Sequence, residues 1–216
     1  MNIIGIASLV WSFGFAALTT LQLPERVAVH FDINGNPDRY GSRLEAGWLL
    51  FLLPVVMLIV QVILWWLAKS ETRANQKKML DIARVGSSLL LVLVQFLIVQ
   101  SMQQNEFEGK KLLLLGIGVL LFAVGNQMPK IAPNAYVGVR IPWTFASDLA
   151  WYATNRLGGW VIASIGAVLV LCSLVLPSQW SIWAIVGMVI ALFSSLSYLW
   201  FYARSIYQTD PDRRAL

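Results

Sequence analysis

Apolar residues run through this sequence in long stretches that are separated by short polar segments. Crossing about 30 Å of hydrocarbon takes roughly 17–25 helical residues, and each stretch has that length. The stretches contain no charged residue and cover residues 3–23, 46–68, 85–102, 112–128, 159–177 and 180–202. They also lack the alternation of apolar and polar residues that barrel strands show. The pattern therefore predicts an all-α integral membrane protein, with six transmembrane helices in three hairpins.

The basic residues predict the orientation of these helices. Lys and Arg concentrate in cytoplasmic loops of membrane proteins. If the N-terminus is cytoplasmic, the cytoplasmic side carries Lys69, Arg73, Lys77, Lys78, Arg84, Lys130, Arg140, Arg156, Arg204, Arg213 and Arg214. The other side then carries Arg26, Arg39, Arg43, Lys110 and Lys111. We therefore expect both termini in the cytoplasm, an outer loop at 24–45 and an inner loop at 125–159.

The composition agrees with a membrane protein. Hydrophobic residues make up 58% of the 216 residues and charged residues 12%, about half of the usual 25%. The net charge of +5 does not indicate nucleic-acid binding, because the basic residues lie next to the apolar stretches, where topology and anionic lipid explain them. The single cysteine, Cys172, lies in an apolar stretch and forms no internal disulfide.

Polar residues within the apolar stretches are neutral. The lack of ionisable side chains there counts against a proton-coupled transporter or pump. Gln61, Gln95 and Asn126 are among the neutral residues that remain. Two interpretations stay open: hydrogen bonds between helices, or a polar path for a substrate.

The outer loop has the pattern of a short β-hairpin. Residues 26–32 alternate as in a strand, and Asn34-Gly35 favours a type I′ turn. Its candidate ligand-sensing residues are His30, Asp32, Asn34, Asp38 and Tyr40.

Three interpretations of these outer residues are open. Asx turns use the same residue types and are favoured. The alternatives are zinc binding by His30 with Asp32 and Asp38, and direct contact with an extracellular ligand. No Ser or Cys stands beside His30, the only histidine, so we predict no catalytic residue. Because the Asx-turn interpretation is favoured over zinc binding, we also predict no bound metal and no other cofactor.

The inner loop combines prolines, tryptophans and basic residues. Thr144 or Ser147 is a candidate helix N-cap, and residues 145–156 have an amphipathic pattern that Gly158 is expected to end. This predicts a cytoplasmic interfacial helix, and the alternative is a surface for a cytoplasmic partner. Arg140 and Arg156 suit the carboxylates of such a partner or lipid phosphates.

The same loop carries a recognisable motif. Its residues are Gly125-Asn126, Met128-Pro129-Lys130, Asn134, Tyr136-Val137-Gly138-Val139-Arg140, Pro142-Trp143-Thr144, Trp151, Thr154 and Arg156-Leu157-Gly158-Gly159. They resemble the signature of the SdpI/YfhL immunity-protein family, from which Ile141 and Asn155 depart. The outer loop, with Val29-His30-Phe31, Asn34-Gly35, Pro37-Asp38 and Tyr40-Gly41-Ser42, resembles the uncharacterised domain that often precedes that signature.

The resemblance implies a division of the chain and a set of site residues. Residues 1–68 would form an N-terminal two-helix membrane unit with the outer loop, and 85–206 a four-helix domain with the inner loop. The implied partner-binding residues of the inner loop are Asn126, Asn134, Arg140, Trp143, Thr144, Trp151 and Arg156.

The resemblance also implies a function. Such a protein resides in the bacterial cytoplasmic membrane, gives resistance to a secreted peptide toxin by binding, and signals by sequestering a cytoplasmic repressor. It is not an enzyme, and it does not bind nucleic acid directly. The alternatives are a small-molecule or lipid transporter, and a membrane enzyme with an extracytoplasmic site at His30 and Asp32 or Asp38.

Overall fold

The computed structural model describes residues 3–32, 37–70, 73–103, 109–134 and 136–215. In chain order its helices and strands are α1 (Ile3–Gln22), β1 (Arg26–Phe31), β2 (Pro37–Ser42), α2 (Arg43–Ser70), α3 (Ala74–Met102), α4 (Gly109–Gln127), α5 (Pro142–Ala146), α6 (Asp148–Val175) and α7 (Ser181–Thr209). All but α5 among the helices are long and apolar enough to cross a membrane, which gives the six predicted spans. The chain divides into two compact units, described separately below.

The first unit comprises Met1–Trp66 and Arg84–Leu113. Its hydrophobic core joins helix residues to the inward side of β1. The buried members are Ala16, Leu23, Val27, Val29, Ala46, Leu50, Val99 and Met102. Because β1 contributes Val27 and Val29 to this core, the hairpin is held against the helix ends and is part of the folded unit.

The predicted β-hairpin is confirmed. β1 and β2 pair antiparallel, with Arg26 opposite Ser42 and Val27 opposite Gly41. A backbone hydrogen bond from Arg43 N to Glu25 O, 3.1 Å long, closes the open end. The turn expected at Asn34-Gly35 lies outside the described residues.

Polar side chains connect the helices of this unit. Ser12 Oγ donates to Gln95 Oε1 at 2.6 Å, and Gln95 Nε2 donates to Ser12 O at 3.0 Å. Gln61 Nε2 contacts Arg84 O at 2.9 Å and Ser88 Oγ at 2.6 Å. Both glutamines are fully buried, so these bonds favour the helix-packing interpretation of their polar groups.

The second unit comprises Leu67–Ala83 and Leu114–Leu216. In it α6 and α7 pack against each other as neighbours in the chain. The turn between them contains only Leu176, Pro177 and a single 3₁₀ turn, Ser178–Trp180. The last of the three predicted helical hairpins is therefore confirmed, and its turn is short.

Glycines bring α4 and α6 into backbone contact. A Cβ on Gly125 would lie 2.4 Å from Ala163 N and 2.7 Å from Gly159 O. A Cβ on Gly166 would lie 2.4 Å from Phe122 N and 2.6 Å from Gly118 O. Small residues allow such close approach in membranes, where helix association depends on packing.

The prediction that Gly158 ends a separate amphipathic helix is wrong. α5 stops at Ala146, Ser147 is extended, and α6 then runs without a break from Asp148 through Gly158 to Val175. Gly158 is buried, and a Cβ there would lie 3.2 Å from the side chains of Leu199 and Val139. Its small size serves packing, and the helix continues because backbone groups within a membrane must stay hydrogen-bonded.

Candidate functional site

The polar segment between α4 and α6, which carries the motif of the inner loop, is held against α6 by buried side chains. Trp151, at the start of α6, is fully buried in a cluster with Met79, Met128 and Ile131. Its indole Nε1 donates a 2.8 Å hydrogen bond to the carbonyl of Ile131. Trp151, predicted as a partner contact, therefore lies in the interior and holds the chain after α4 against α6.

Asn134 forms a local turn with its own side chain. Its Nδ2 donates to the carbonyls of Ala132 and Val137 at 2.9 and 3.0 Å. Its Oδ1 accepts from the backbone N–H groups of Tyr136 and Val137, each at 2.8 Å. The amide uses both of its ends within this turn, so Asn134 shapes the backbone.

Asn155, on α6, fixes the next part of the segment. Its Oδ1 accepts from Val139 N at 2.7 Å, and its Nδ2 donates to Trp151 O at 3.0 Å. Gly138 has φ +115°, and a Cβ there would lie 2.5 Å from Asn155 Oδ1. This role of Asn155 is not predictable from the sequence, because Val139 and Asn155 are 16 residues apart in the chain.

Thr144 closes the start of α5. Its hydroxyl is buried, accepts from Ile141 N at 3.1 Å and lies 3.0 Å from Val139 O. Ile141 is the extended N-cap residue, and Pro142 occupies the first helical position. The Pro142-Trp143-Thr144 sequence thus begins α5, because proline suits the first helical position and the Thr144 hydroxyl binds the N-cap backbone. We call residues 136–147 the α5 corner.

The exposed side of the α5 corner carries aromatic and cationic groups. The guanidinium carbon of Arg140 lies 5.4 Å from the centre of the Phe145 ring. That of Arg204, from α7, lies 5.6 Å from the centre of the Trp143 ring. Trp143 also contacts Trp200 and Tyr207, at centroid distances of 6.2 and 5.4 Å.

Two further predicted residues, Asn126 on α4 and Arg156 on α6, are exposed. They are not held in place by a hydrogen bond within the described part of the chain. The structure therefore separates the predicted inner-loop residues into two sets. Asn134, Thr144 and Trp151 build the framework, whereas the others face outward or, like Trp143, are half-buried.

The end of the chain packs against the α5 corner, a contact that the sequence did not predict. Arg214 N donates to Ala146 O at 2.7 Å, and its guanidinium lies 3.1 Å from Asp148 Oδ1. Ser147 Oγ, which caps α6 by accepting from Ala150 N, donates to Asp210 Oδ2. An open cleft of about 540 Å³ lies between this C-terminal segment and the first turns of α6.

Hydrogen bonds to the Asp210 carboxylate lower its pKa below the ordinary value. The largest cause is the bond from Ser147, followed by the backbone N–H of Asp212 and the charge of Arg213, while burial opposes them. Donors to a carboxylate favour its ionised form. The ionised form therefore stabilises the attachment of the C-terminal segment.

The hairpin places its predicted residues on the side away from the core. His30 Nδ1 lies 2.6 Å from Asp38 Oδ1, and Arg26 stacks on Tyr40 at 5.3 Å. Asp32 is half-buried at the end of β1, and Asn34 lies outside the described residues. Within the described ranges, the structure has no group of three or more His, Cys, Asp or Glu side chains that could hold a metal.

The structure is that of a multi-pass membrane protein, with six helices long and apolar enough to cross a membrane. The β1–β2 hairpin and the α5 corner are its two small polar regions. Two family models match separate parts of the chain. Residues 130–198 match the SdpI/YfhL protein family, and residues 7–58 match a domain of unknown function, DUF1648. These two matches confirm the resemblance that the motifs of the chain indicate.

Two curated proteins are similar in sequence. Immunity protein SdpI of Bacillus subtilis is 27% identical over 172 residues, which cover 80% of this chain and 81% of that protein. An uncharacterised protein of Archaeoglobus fulgidus is 44% identical over 69 residues, which cover 32% of this chain and 34% of that protein. No solved structure matches the chain.

Proposed function

We propose that this protein gives a bacterial cell resistance to a secreted peptide toxin, and that it acts by binding and not by catalysis. The observation that carries this proposal is the similarity to Immunity protein SdpI, which extends over 80% of the chain. That length includes more than the signature segment alone. A shared membrane architecture is therefore a better explanation than one shared motif.

The hairpin is the proposed contact for the toxin. Its inward residues belong to the core of the first unit, so its exposed residues are presented by a folded platform. His30, Asp38 and Tyr40 lie on its exposed surface. Imidazole, carboxylate and phenol groups together suit a peptide that has both polar and apolar side chains.

We further propose that both termini and the α5 corner lie in the cytoplasm. The support is the excess of Lys and Arg in the segments that share a side with the termini. In that orientation the hairpin lies outside, and the exposed residues Asn126, Arg140 and Arg156 can contact a cytoplasmic repressor. Reporter fusions at the C-terminus and in the segment between α3 and α4 test this orientation, since they should report opposite sides.

A toxin-challenge assay in a sensitive host tests the immunity function. Cells that express the protein should survive at least one member of a panel of secreted peptide toxins. Tyr40→Ala should reduce survival, whereas Tyr198→Ala, which removes an exposed tyrosine from α7, should not. No protection against any toxin, with normal amounts of protein in the membrane, would overturn the proposal.

Repressor sequestration needs a separate test. A fluorescently labelled repressor encoded beside this protein should move to the membrane when toxin is added. Asn126→Ala with Arg156→Ala should leave the repressor in the cytoplasm while the protein itself stays in the membrane. If the repressor still moves to the membrane in this double variant, Asn126 and Arg156 do not form the repressor contact.

The His30–Asp38 contact makes a membrane enzyme the second candidate. A carboxylate orients a histidine that acts as a base or as a metal ligand. Elemental analysis of the purified protein distinguishes the two functions. Bound metal that is lost in His30→Ala would favour the enzyme, and full toxin resistance in that variant would exclude His30 as an essential residue.

A further inference from the structure

The α5 corner holds two arginine side chains against its aromatic rings. Arg140 lies over Phe145, and Arg204 reaches from α7 to lie over Trp143. Both arginines are exposed at the surface. A guanidinium that stacks on a ring keeps its edge N–H groups available, so each arginine is ordered without losing its donors.

Neither guanidinium is neutralised within the described part of the chain. The ion pairs of the described residues include His30 with Asp38, Arg39 with Glu45, and Arg214 with Asp148. Arg140 and Arg204 make their ring contacts but no contact with a carboxylate in the residues described. The α5 corner therefore presents a positively charged surface that is available to an anionic partner.

The lengths of α6 and α7 are those expected if this surface lies at the depth of the lipid headgroups. The short turn after Val175 sets the starting level for both helices. At 1.5 Å per residue, Arg204 lies about 34 Å along α7 from Ser181, just beyond a hydrocarbon layer of about 30 Å. Trp200, one turn earlier, is 41% exposed, as expected for an aromatic residue at the membrane interface.

We propose that the α5 corner binds the headgroups of anionic phospholipids through Arg140 and Arg204. Charge, depth and the interfacial tryptophan favour a lipid over an acidic segment of a protein. The edge donors of a guanidinium match two phosphate oxygens in a bidentate contact. This inference goes beyond toxin resistance and does not rest on it.

Native mass spectrometry of the purified full-length protein tests the proposal with phosphatidylglycerol and phosphatidylcholine as probes. The protein should retain phosphatidylglycerol preferentially. The double variant Arg140→Gln, Arg204→Gln should bind it about 25-fold more weakly, since each basic residue near a membrane surface contributes about fivefold. Arg26→Gln is the matched control, because Arg26 also stacks on a ring, that of Tyr40, but belongs to the other unit.

Several outcomes would overturn the proposal. They are unchanged phosphatidylglycerol retention in the double variant, an equal loss in Arg26→Gln, and displacement of the lipid by millimolar inorganic phosphate or by an acidic peptide. Equal melting temperatures in phosphatidylcholine show that the variants are folded. If the double variant does not fold, Arg140→Lys with Arg204→Lys keeps the charge and removes the forked donors. It should then retain less phosphatidylglycerol than the original protein, and unchanged retention would overturn the bidentate contact.

Discussion

The side chain of Asn155, buried in α6, accepts a 2.7 Å hydrogen bond from the backbone N–H of Val139. This bond joins the extended chain before α5 to a transmembrane helix. Trp151, one helical turn earlier, makes a second connection through Ile131. Ile131 and the start of the α5 corner are thus both fixed to one face of α6, which explains how a segment with little regular structure keeps a defined shape.

Asn155→Ala should destabilise the protein by about 1–3 kcal/mol, because it leaves the Val139 N–H without a partner in a partly buried site. The neighbouring Arg156→Ala is the control. It removes an exposed side chain and should change stability by less than about 0.5 kcal/mol. Melting temperatures in detergent compare the two variants. Equal melting temperatures would show that the Asn155 bond contributes nothing.

Gly125→Ala should disrupt the packing of α4 on α6. The new methyl group would lie 2.4 Å from Ala163 N, a backbone atom that cannot move away by itself. Overpacking of this kind costs about 1–3 kcal/mol. Gly187→Ala on α7 is the matched control, since a Cβ there meets nothing within 4 Å. Thermal unfolding should separate the two, and a Gly125→Ala variant as stable as Gly187→Ala would contradict the close contact.

The sequence predicts the spans and the hairpin because both depend on local patterns. Apolar length alone identifies the six helices, and strand alternation before Asn34 identifies β1. The continuity of α6 through Gly158 was not predictable in the same way. A glycine after an amphipathic stretch is typical of a helix end, but here it is needed for contact with Leu199, which is distant in the sequence.

The places that the predicted site residues take in the fold were not predictable from the sequence. The motif pointed to Asn134, Thr144 and Trp151, yet their polar groups are used within the fold. Sequence spacing gives no sign of such bonds, because their partners are mostly backbone atoms. The C-terminal contact with Ser147 escaped prediction for the same reason, since it joins residues that are far apart in the chain.

Two tryptophans of the site should respond differently to replacement by phenylalanine. Trp151→Phe loses the bond to Ile131 O and leaves a cavity in a fully buried site, so it should destabilise by more than about 1 kcal/mol. Trp143 Nε1 is buried without a hydrogen-bond partner among the described residues. Trp143→Phe removes this donor and should therefore cost much less. Melting curves of the two variants test the difference, and a larger loss for Trp143→Phe would contradict it.

The attachment of the C-terminal segment should weaken in acid. The pKa of Asp210 in the folded protein lies below the ordinary 3.8, so the ionised form stabilises the attachment fully above that pH. The stabilisation is lost as the pH falls through the lowered pKa. A fluorophore at Ala215→Cys, in a Cys172→Ser background, reports the attachment through its anisotropy. Anisotropy should stay constant from pH 7 to about pH 4 and fall below that range.

Asp210→Asn separates this effect from general acid unfolding. The amide cannot carry the charge, so the label should be more mobile at neutral pH, with little further change in acid. Asp148→Asn removes the ion pair with Arg214 and keeps the Ser147–Asp210 bond. It should therefore retain the acid-dependent fall in anisotropy. If Asp148→Asn abolishes that fall while Asp210→Asn preserves it, the Ser147–Asp210 bond does not control the attachment.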